Sequence, residues 1–175
     1  MDNTINFESL SREKYDTYIR VGIQAYNEHY LHLWPKGDST PYLKSSFTNV
    51  VLEKEALDAN TLLFLIYYRS LPVGILKITL SKSVASHTKG NALYVDKIYI
   101  LKEYTGMDIG KKVLEFIVHK AKELGKKIIW LDTMQKGAAL NFYLKNDFEQ
   151  FGETKLPFRN AIEAEKPMYI LIRKI

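Results

Sequence analysis

The chain has 175 residues, 46% of them hydrophobic, and 25 Lys and Arg against 20 Asp and Glu give a net charge of +5. That length and apolar content suit one domain, residues 1–175, with a sizeable core. Cysteine is absent, which excludes disulfides, thiolate metal sites and cysteine nucleophiles, and the basic residues are too dispersed for a nucleic-acid footprint. The start, "MDNTINFESL", carries acids and amides where a signal peptide needs a basic and then an apolar stretch. No apolar run approaches a membrane span. The expectation is a cytoplasmic protein that engages neither nucleic acid nor membrane.

In chain order, "INFESL" (5–10) reads as a short strand, and Ser11 as the N-cap of a helix running to about Tyr30, with Tyr15, Tyr18, Ile19 and Ala25 among its apolar positions. "WPKGDSTP" (34–41) breaks it, and a second helix is expected from Leu43 to Leu57. "TLLFLIYYR" (61–69) and "PVGILKITL" (72–80) form a predicted hairpin, rich in β-branched and aromatic residues. A polar loop (81–91) leads to the strand "ALYVDKIYI" (92–100). Strict alternation there puts Tyr94, Asp96, Ile98 and Ile100 on one face, with Val95, Lys97 and Tyr99 on the other. Val113, Leu114, Ile117, Ala121 and Leu124 recur at helical spacing over 110–124, and Gly125 stops that helix. A buried strand (127–132), a helix (137–147) and strands at 148–153 and 166–175 complete the pattern.

The central unit is strand, glycine turn, helix, strand, and the turn is "YTGMDIG" (104–110). This order aims the helix's free N–H groups and positive dipole end at whatever lies above the turn, commonly a phosphate. A Walker A loop fails, because Gly106 and Gly110 enclose three residues rather than four and Lys111 is followed by Lys112. A dinucleotide fingerprint also fails for want of its glycine triplet, although Asp132 stands where its acid would be. A turn that rings a pyrophosphate with successive backbone amides fits both length and position.

The segment from about 96 to 150, "DKIYILKEYTGMDIGKK…WLDT" followed by "ALNFYLKNDF", resembles the acyl-CoA-binding half of the GNAT N-acetyltransferase superfamily. Tyr104, Gly106, Ile109, Gly110 and Lys111 match the extended form of the family's turn, Tyr-Arg-Gly-x-Gly-Ile-Gly-Lys, while Thr105 and Asp108 depart from it. Ala139, Phe142, Tyr143, Lys145 and Phe148 match the later signature Ala-x-x-Phe-Tyr-x-Lys-x-Gly-Phe, whose glycine is Asp147 here. The lysine-rich helix and "DKIYI" are most similar to the bacterial branch that includes polyamine acetyltransferases.

The resemblance implies an α/β (α+β) fold: a mixed, mainly antiparallel sheet flanked by helices, with a splayed strand pair (92–100 and 127–132) forming a cleft for coenzyme A. It implies acetyl transfer from acetyl-CoA, a cosubstrate, to a primary amine, without an acyl-enzyme and without a metal. Backbone groups of Ile98, Tyr99 and Ile100 would meet the pantetheine arm, and Thr105, Gly106, Met107, Asp108, Ile109, Gly110 and Lys111 the pyrophosphate. Tyr143 stands at the family's position for the proton donor to the leaving sulfur.

An alkylamine with a pKa of about 10 must lose a proton before it attacks. Asp96 is the best-placed carboxylate on the strand, against the alternative of a surface acid paired with Lys97 or Lys89. Tyr26, Tyr30 and Trp34, with Tyr42 beside them, would line the acceptor pocket or simply pack on the sheet. His29 and His32 do not complete a metal-ligand spacing, and Asp132 reads as a strand-end residue. Ser83 and Ser86 with His87 lack the acid of a hydrolytic triad.

The acceptor would be a small molecule such as a polyamine, or a peptide amine, and homodimer formation is left open. Because two family glycines are aspartates, a non-catalytic protein of the same fold, binding coenzyme A or serving as an interaction module, is the alternative.

Overall fold

The structure is a computed structural model that describes residues 4–175. Seven strands form one sheet in the order β1-β2-β3-β4-β5-β7-β6. They are β1 (Ile5–Ser9), β2 (Thr61–Tyr68), β3 (Leu71–Thr79), β4 (Ala92–Ile100), β5 (Ile128–Met134), β6 (Glu149–Lys155) and β7 (Pro167–Lys174). All neighbours are antiparallel except β4 and β5. The mixed, mainly antiparallel sheet flanked by helices is the fold class read from the sequence.

Five α-helices cover it: α1 (Tyr15–Tyr30), α2 (Thr40–Ser46), α3 (Asn49–Leu57), α4 (Ile109–Glu123) and α5 (Ala138–Leu144). On one face α4 buries Ile109, Val113, Leu114, Ile117 and Ala121 against Leu76, Ile78, Leu93, Val95 and Ile129 of the strands. On the other, α1 and α3 bury Tyr18, Val21, Ala25 and Leu52 against Leu63, Leu65 and Ile75. Among the described residues no helix is long and apolar enough to cross a membrane.

Local chemistry explains where the elements depart from the sequence reading. Ser11 precedes a short 3-10 turn, Arg12–Lys14, without a capping hydrogen bond from its side chain, and α1 starts only at Tyr15. The expected helix over 43–57 is two helices. Phe47 turns inward as a buried core residue, and Thr48 restarts the helix by accepting the Val51 amide at 3.2 Å on its hydroxyl. In the β2–β3 hairpin Arg69 and Ser70 both have positive φ, 48° and 65°, the mirror-image turn that matches strand twist.

One correction bears on the site. The β3–β4 register passes from Lys77↔Lys97 to Ile78↔Val95, so Asp96 is the extra residue of a β-bulge and the alternation changes phase there. Val95 therefore shares the α4 face with Ile98 and Ile100. Asp96 is not on the face of Ile98 and Ile100: it joins Lys97, which lies 5.9 Å from the Phe47 ring centroid on the α1–α3 side.

β3 and β4 approach closely at Gly74, where an added Cβ would lie 2.6 Å from the Tyr99 carbonyl oxygen. Gly74→Ala should destabilise the protein by about 1–3 kcal/mol through forced backbone displacement. Urea unfolding should show a lower midpoint with unchanged slope; an unaltered midpoint would mean that the two strands separate without penalty.

Candidate active site

Parallel pairing of β4 with β5 covers only Ala92↔Ile128, Leu93↔Ile129 and Tyr94↔Trp130. Beyond Tyr94 the strands splay, as the sequence reading expected of this pair. A cavity of about 410 Å³ opens between them, lined by Val95, Asp96, Ile98 and Tyr99 of β4 and by Leu131, Asp132, Thr133 and Met134 of β5. Leu101 donates its amide to Val73 of β3 at 2.9 Å, so by strand alternation Ile98 and Ile100 turn their peptide groups toward the cleft. His29, set aside as a metal ligand, bonds the Ile100 carbonyl through Nε2 at 2.9 Å.

β4 leads into the glycine turn. Thr105 anchors it by donating its hydroxyl to the Lys102 carbonyl at 2.7 Å. Gly106 has φ +78°, and Asp108, the residue before α4, is left-handed at φ 60° with no side-chain cap bond. The first helical bond runs from the Lys112 amide to the Asp108 carbonyl, so the amides of Ile109, Gly110 and Lys111 have no helical acceptor. Asp108 is exposed, as are Thr105, Gly106 and Met107. Ile109 is buried, and Gly110 lets Phe142 pack where a Cβ would meet the ring at 3.0 Å. Lys111 is exposed, and Lys112 is drawn to Glu115 at 2.8 Å.

The second aspartate at a family glycine behaves alike: Asp147 has φ 66° and its carboxylate pairs with Arg173 at 3.1 Å. Both positions keep a glycine-like backbone, which Asp tolerates better than most residues. These features, three unpaired amides at the end of a 15-residue helix and a strand edge open along the cleft, fit coenzyme A: the helix end for its pyrophosphate, the strand edge for the amides of its arm.

Tyr143, on α5, lines the same cavity. Its ring is held edge-on by Phe142 and Phe148, with centroids 5.3 and 5.5 Å away. Burial, with a smaller contribution from Tyr30, pushes its hydroxyl well above the ordinary tyrosine range, so it stays protonated and able to donate.

Across the cavity Tyr26 and Tyr30 of α1 stand with Tyr42 and Phe158. Tyr26 stacks on Tyr42 with centroids 4.0 Å apart, and the Tyr42 and Tyr99 hydroxyls share a hydrogen bond of 2.6 Å. Trp34 is a correction: it is 2% exposed, does not line the cavity, and supports the wall from behind by donating Nε1–H to the Tyr26 hydroxyl at 2.9 Å. Tyr42 and Phe158 complete a box of rings whose inward edges only the fold brings together.

Asp96 reaches the cavity with both oxygens engaged. Oδ2 is 3.2 Å from Lys77 Nζ and Oδ1 is 3.7 Å from Lys97 Nζ, while Lys77 also binds Glu55 at 2.6 Å. Burial pulls Lys97 below the usual lysine range against the pull of Asp96. For Lys77 burial acts in the same sense, but Asp96 and Glu55 outweigh it and its pKa is raised. Lys89, considered as a partner, is not among the ammonium groups within ion-pair distance of Asp96 in the described residues, which are those of Lys77 and Lys97. Nearby, the Tyr18 hydroxyl is buried without a hydrogen-bond partner.

Asp132, read as a strand-end residue, also lines the cavity, with Lys82 and Tyr94 beside it. Tyr94 donates its hydroxyl to Asp132 Oδ2 at 3.0 Å, and Lys82 Nζ sits 3.6 Å from the centroid of the Tyr94 ring. Asp132 lies inside β5, two residues past the last one paired to β4, and that pairing, which turns it to the cleft, is set by the fold alone. Ser83, Ser86 and His32 are not among the residues of this cavity.

Comparison with known proteins agrees with this architecture. Among solved structures, the chain is similar to the PaiA N-acetyltransferase of Thermoplasma acidophilum in complex with coenzyme A, with TM-score 0.78 and 18% identity over 98% of this chain and 99% of that one. It is similar also to an acetyltransferase of the GNAT family from Streptococcus pneumoniae, with TM-score 0.71 and 18% identity over 98% of this chain and 100% of that one. A sequence relative is an N-acetyltransferase of the pepI 3′ region of Lactobacillus delbrueckii subsp. lactis, 23% identical over 117 residues, which are 66% of this chain and 68% of the relative. The family model of the acetyltransferase (GNAT) family matches residues 23–148, and the chain belongs to that family.

Proposed function

We propose that the protein transfers the acetyl group of acetyl-CoA to a primary amine by direct attack, within the cleft between β4 and β5. The observation that carries this reading is one cavity lined by the splayed strands, by Tyr143 and by an aromatic and acidic wall. The neighbour crystallised with coenzyme A supports the same cosubstrate here. Ile98 would meet the arm with its backbone, the Ile100 amide would add to it, and residues 105–111 would hold the pyrophosphate. Acetyl-CoA brings the activated acyl carbon, and the protein's own groups do the rest.

The rings of Tyr26, Tyr30, Tyr42 and Phe158 line the cavity, and Asp132 adds a carboxylate that no cation pairs within ion-pair distance among the described residues, with Lys82 and Lys155 also on the wall. Aromatic rings beside a free carboxylate suit an amine that arrives as a cation, so a small amine such as a polyamine, or the amine of a peptide, is the acceptor class proposed. Tyr143 would donate its proton to sulfur as the carbon–sulfur bond breaks. The left-handed backbones of Asp108 and Asp147, which keep the turn geometry of the family's glycines, favour this activity over a non-catalytic scaffold. Titration with coenzyme A and acetyl-CoA, followed by thiol release with polyamines, amino acids, aminoglycosides and peptide amines, tests the reading. Absence of both binding and turnover would defeat it.

Two substitutions probe the parts separately. Tyr143→Phe keeps the ring and its packing and should lower kcat by about 10²- to 10⁴-fold with little change in acetyl-CoA affinity. Full turnover in that variant would assign the proton to water or another group. Asp108→Gly removes a Cβ and a negative charge from the pyrophosphate's surroundings and should tighten coenzyme A binding by about threefold at low ionic strength. The gain should fade as salt rises, and unchanged or weaker affinity at low salt would count against the role given to the turn.

A further inference from the structure

The reaction proposed above needs a group that removes a proton from an ammonium acceptor, and two carboxylates line the cavity. Asp96 is engaged on both oxygens by ammonium groups at 3.2 and 3.7 Å. Protonating it would leave Lys77 with Glu55 alone and Lys97, whose side chain is 6% exposed, without its counter-charge, and an uncompensated buried cation is costly. Its position in the bulge serves the ion pairs that bind β3, β4 and α3 together.

Asp132 is placed otherwise. It follows Trp130, the last residue of β5 paired to β4, by two positions, and it is half-buried at the mouth of the splay. Its other strand neighbour is Ile170 of β7, an apolar partner. It accepts a side-chain hydrogen bond from a neutral group, the Tyr94 hydroxyl, at 3.0 Å on Oδ2. Among the described residues no Lys or Arg lies within ion-pair distance of it. The cations sharing the cavity are Lys82, stacked over Tyr94, and Lys155 of β6. Asp96 stands on the opposite strand. Burial, helped by Asp96, lifts the Asp132 carboxyl above the usual range, while Tyr94 and Lys82 oppose the rise.

We propose that Asp132 is the carboxylate that receives the acceptor's proton, Tyr94 fixing one of its oxygens while Asp96 remains an ion-pair residue. Asp132 takes one proton from the ammonium group. The freed nitrogen lone pair forms the bond to the thioester carbon, and the carbon–sulfur bond breaks. Sulfur takes a proton from Tyr143, which is restored by the second proton leaving the nitrogen. The net products are amide, free thiol and one proton passed from Asp132 to solvent. This assignment rests on the proposed acetyl transfer.

The test is the pH dependence of kcat/KM for thiol release from acetyl-CoA, with the panel amine that the unmodified protein turns over fastest. Asp132→Asn retains an acceptor for the Tyr94 hydroxyl and should lower kcat/KM for the amine by about 10²- to 10⁴-fold near neutrality. The acid inflection of the unmodified protein should vanish. In its place the rate should rise about tenfold per pH unit toward the amine's own pKa of about 10. Coenzyme A affinity by calorimetry should stay unchanged. Asp132→Glu should restore an acid inflection, and Asp96→Asn should keep it while lowering the melting temperature.

An inflection that survives in Asp132→Asn, or that disappears in Asp96→Asn, overturns the assignment. Should Asp132→Asn not bind coenzyme A, Asp132→Glu decides, and a profile without an inflection there overturns it. An unmodified protein that binds coenzyme A but turns over no amine overturns the underlying reading instead.

Discussion

Backbone N–H and C=O groups removed from water must find partners, and a strand that stops pairing in the middle of a sheet sets that requirement most sharply. β4 meets β5 for three residue pairs and then parts from it, although both strands remain paired on their outer sides to β3 and β7. The site follows from this arrest. The open edge of β4 asks for hydrogen-bonding groups from outside the chain, and a ligand with a chain of amides can supply them as an added strand would. The splay also opens a passage through the sheet, so groups rooted on the α4 side and on the α1 side can meet at one point.

The bulge at Asp96 sets which groups those are. By inserting one residue, β4 changes phase, and Val95, Ile98 and Ile100 all face α4 while Tyr99 and Lys97 face α1 and α3. The charges gathered beside it are expensive to bury singly. Glu55, Lys77, Asp96 and Lys97 form a chain of alternating sign, with contacts from 2.6 to 3.7 Å, and each removes the counter-charge deficit of the next. The aromatic wall next to it is cemented by ring contacts and by the Tyr42–Tyr99 hydroxyl pair, which tie α1, α2 and β4 together on that side of the pocket.

Element type and order were legible because they rest on local signals. The apolar spacing of α4, the β-branched run of β2 and the glycine turn each announce themselves within a few residues. The place of Tyr143 on the cavity wall followed from motif position. What could not be read was parity and distance. A one-residue bulge leaves no mark in "YVDKIY", so strict alternation put Asp96 on the wrong face. Trp34 and Tyr42 look equivalent as aromatic residues after one helix, yet one lies behind the wall and the other forms it. Asp132 looked like a strand end because nothing local reveals that its neighbouring strand has turned away.

The helix α1 carries two of the pocket tyrosines, Tyr26 and Tyr30, and between them it carries two ties to the end of β4. His29 bonds the Ile100 carbonyl at 2.9 Å, and Glu28 accepts the Lys102 amide at 2.7 Å. A five-residue span of one helix, 26–30, thus touches both the aromatic wall and the approach to the glycine turn. A ligand that favoured one placement of this helix would pass that preference to both ends, and thermodynamic linkage would make the effect reciprocal. The proposed cosubstrate at the turn and the proposed amine in the pocket would then alter each other's affinity by one and the same factor, set by the stretch of helix they share.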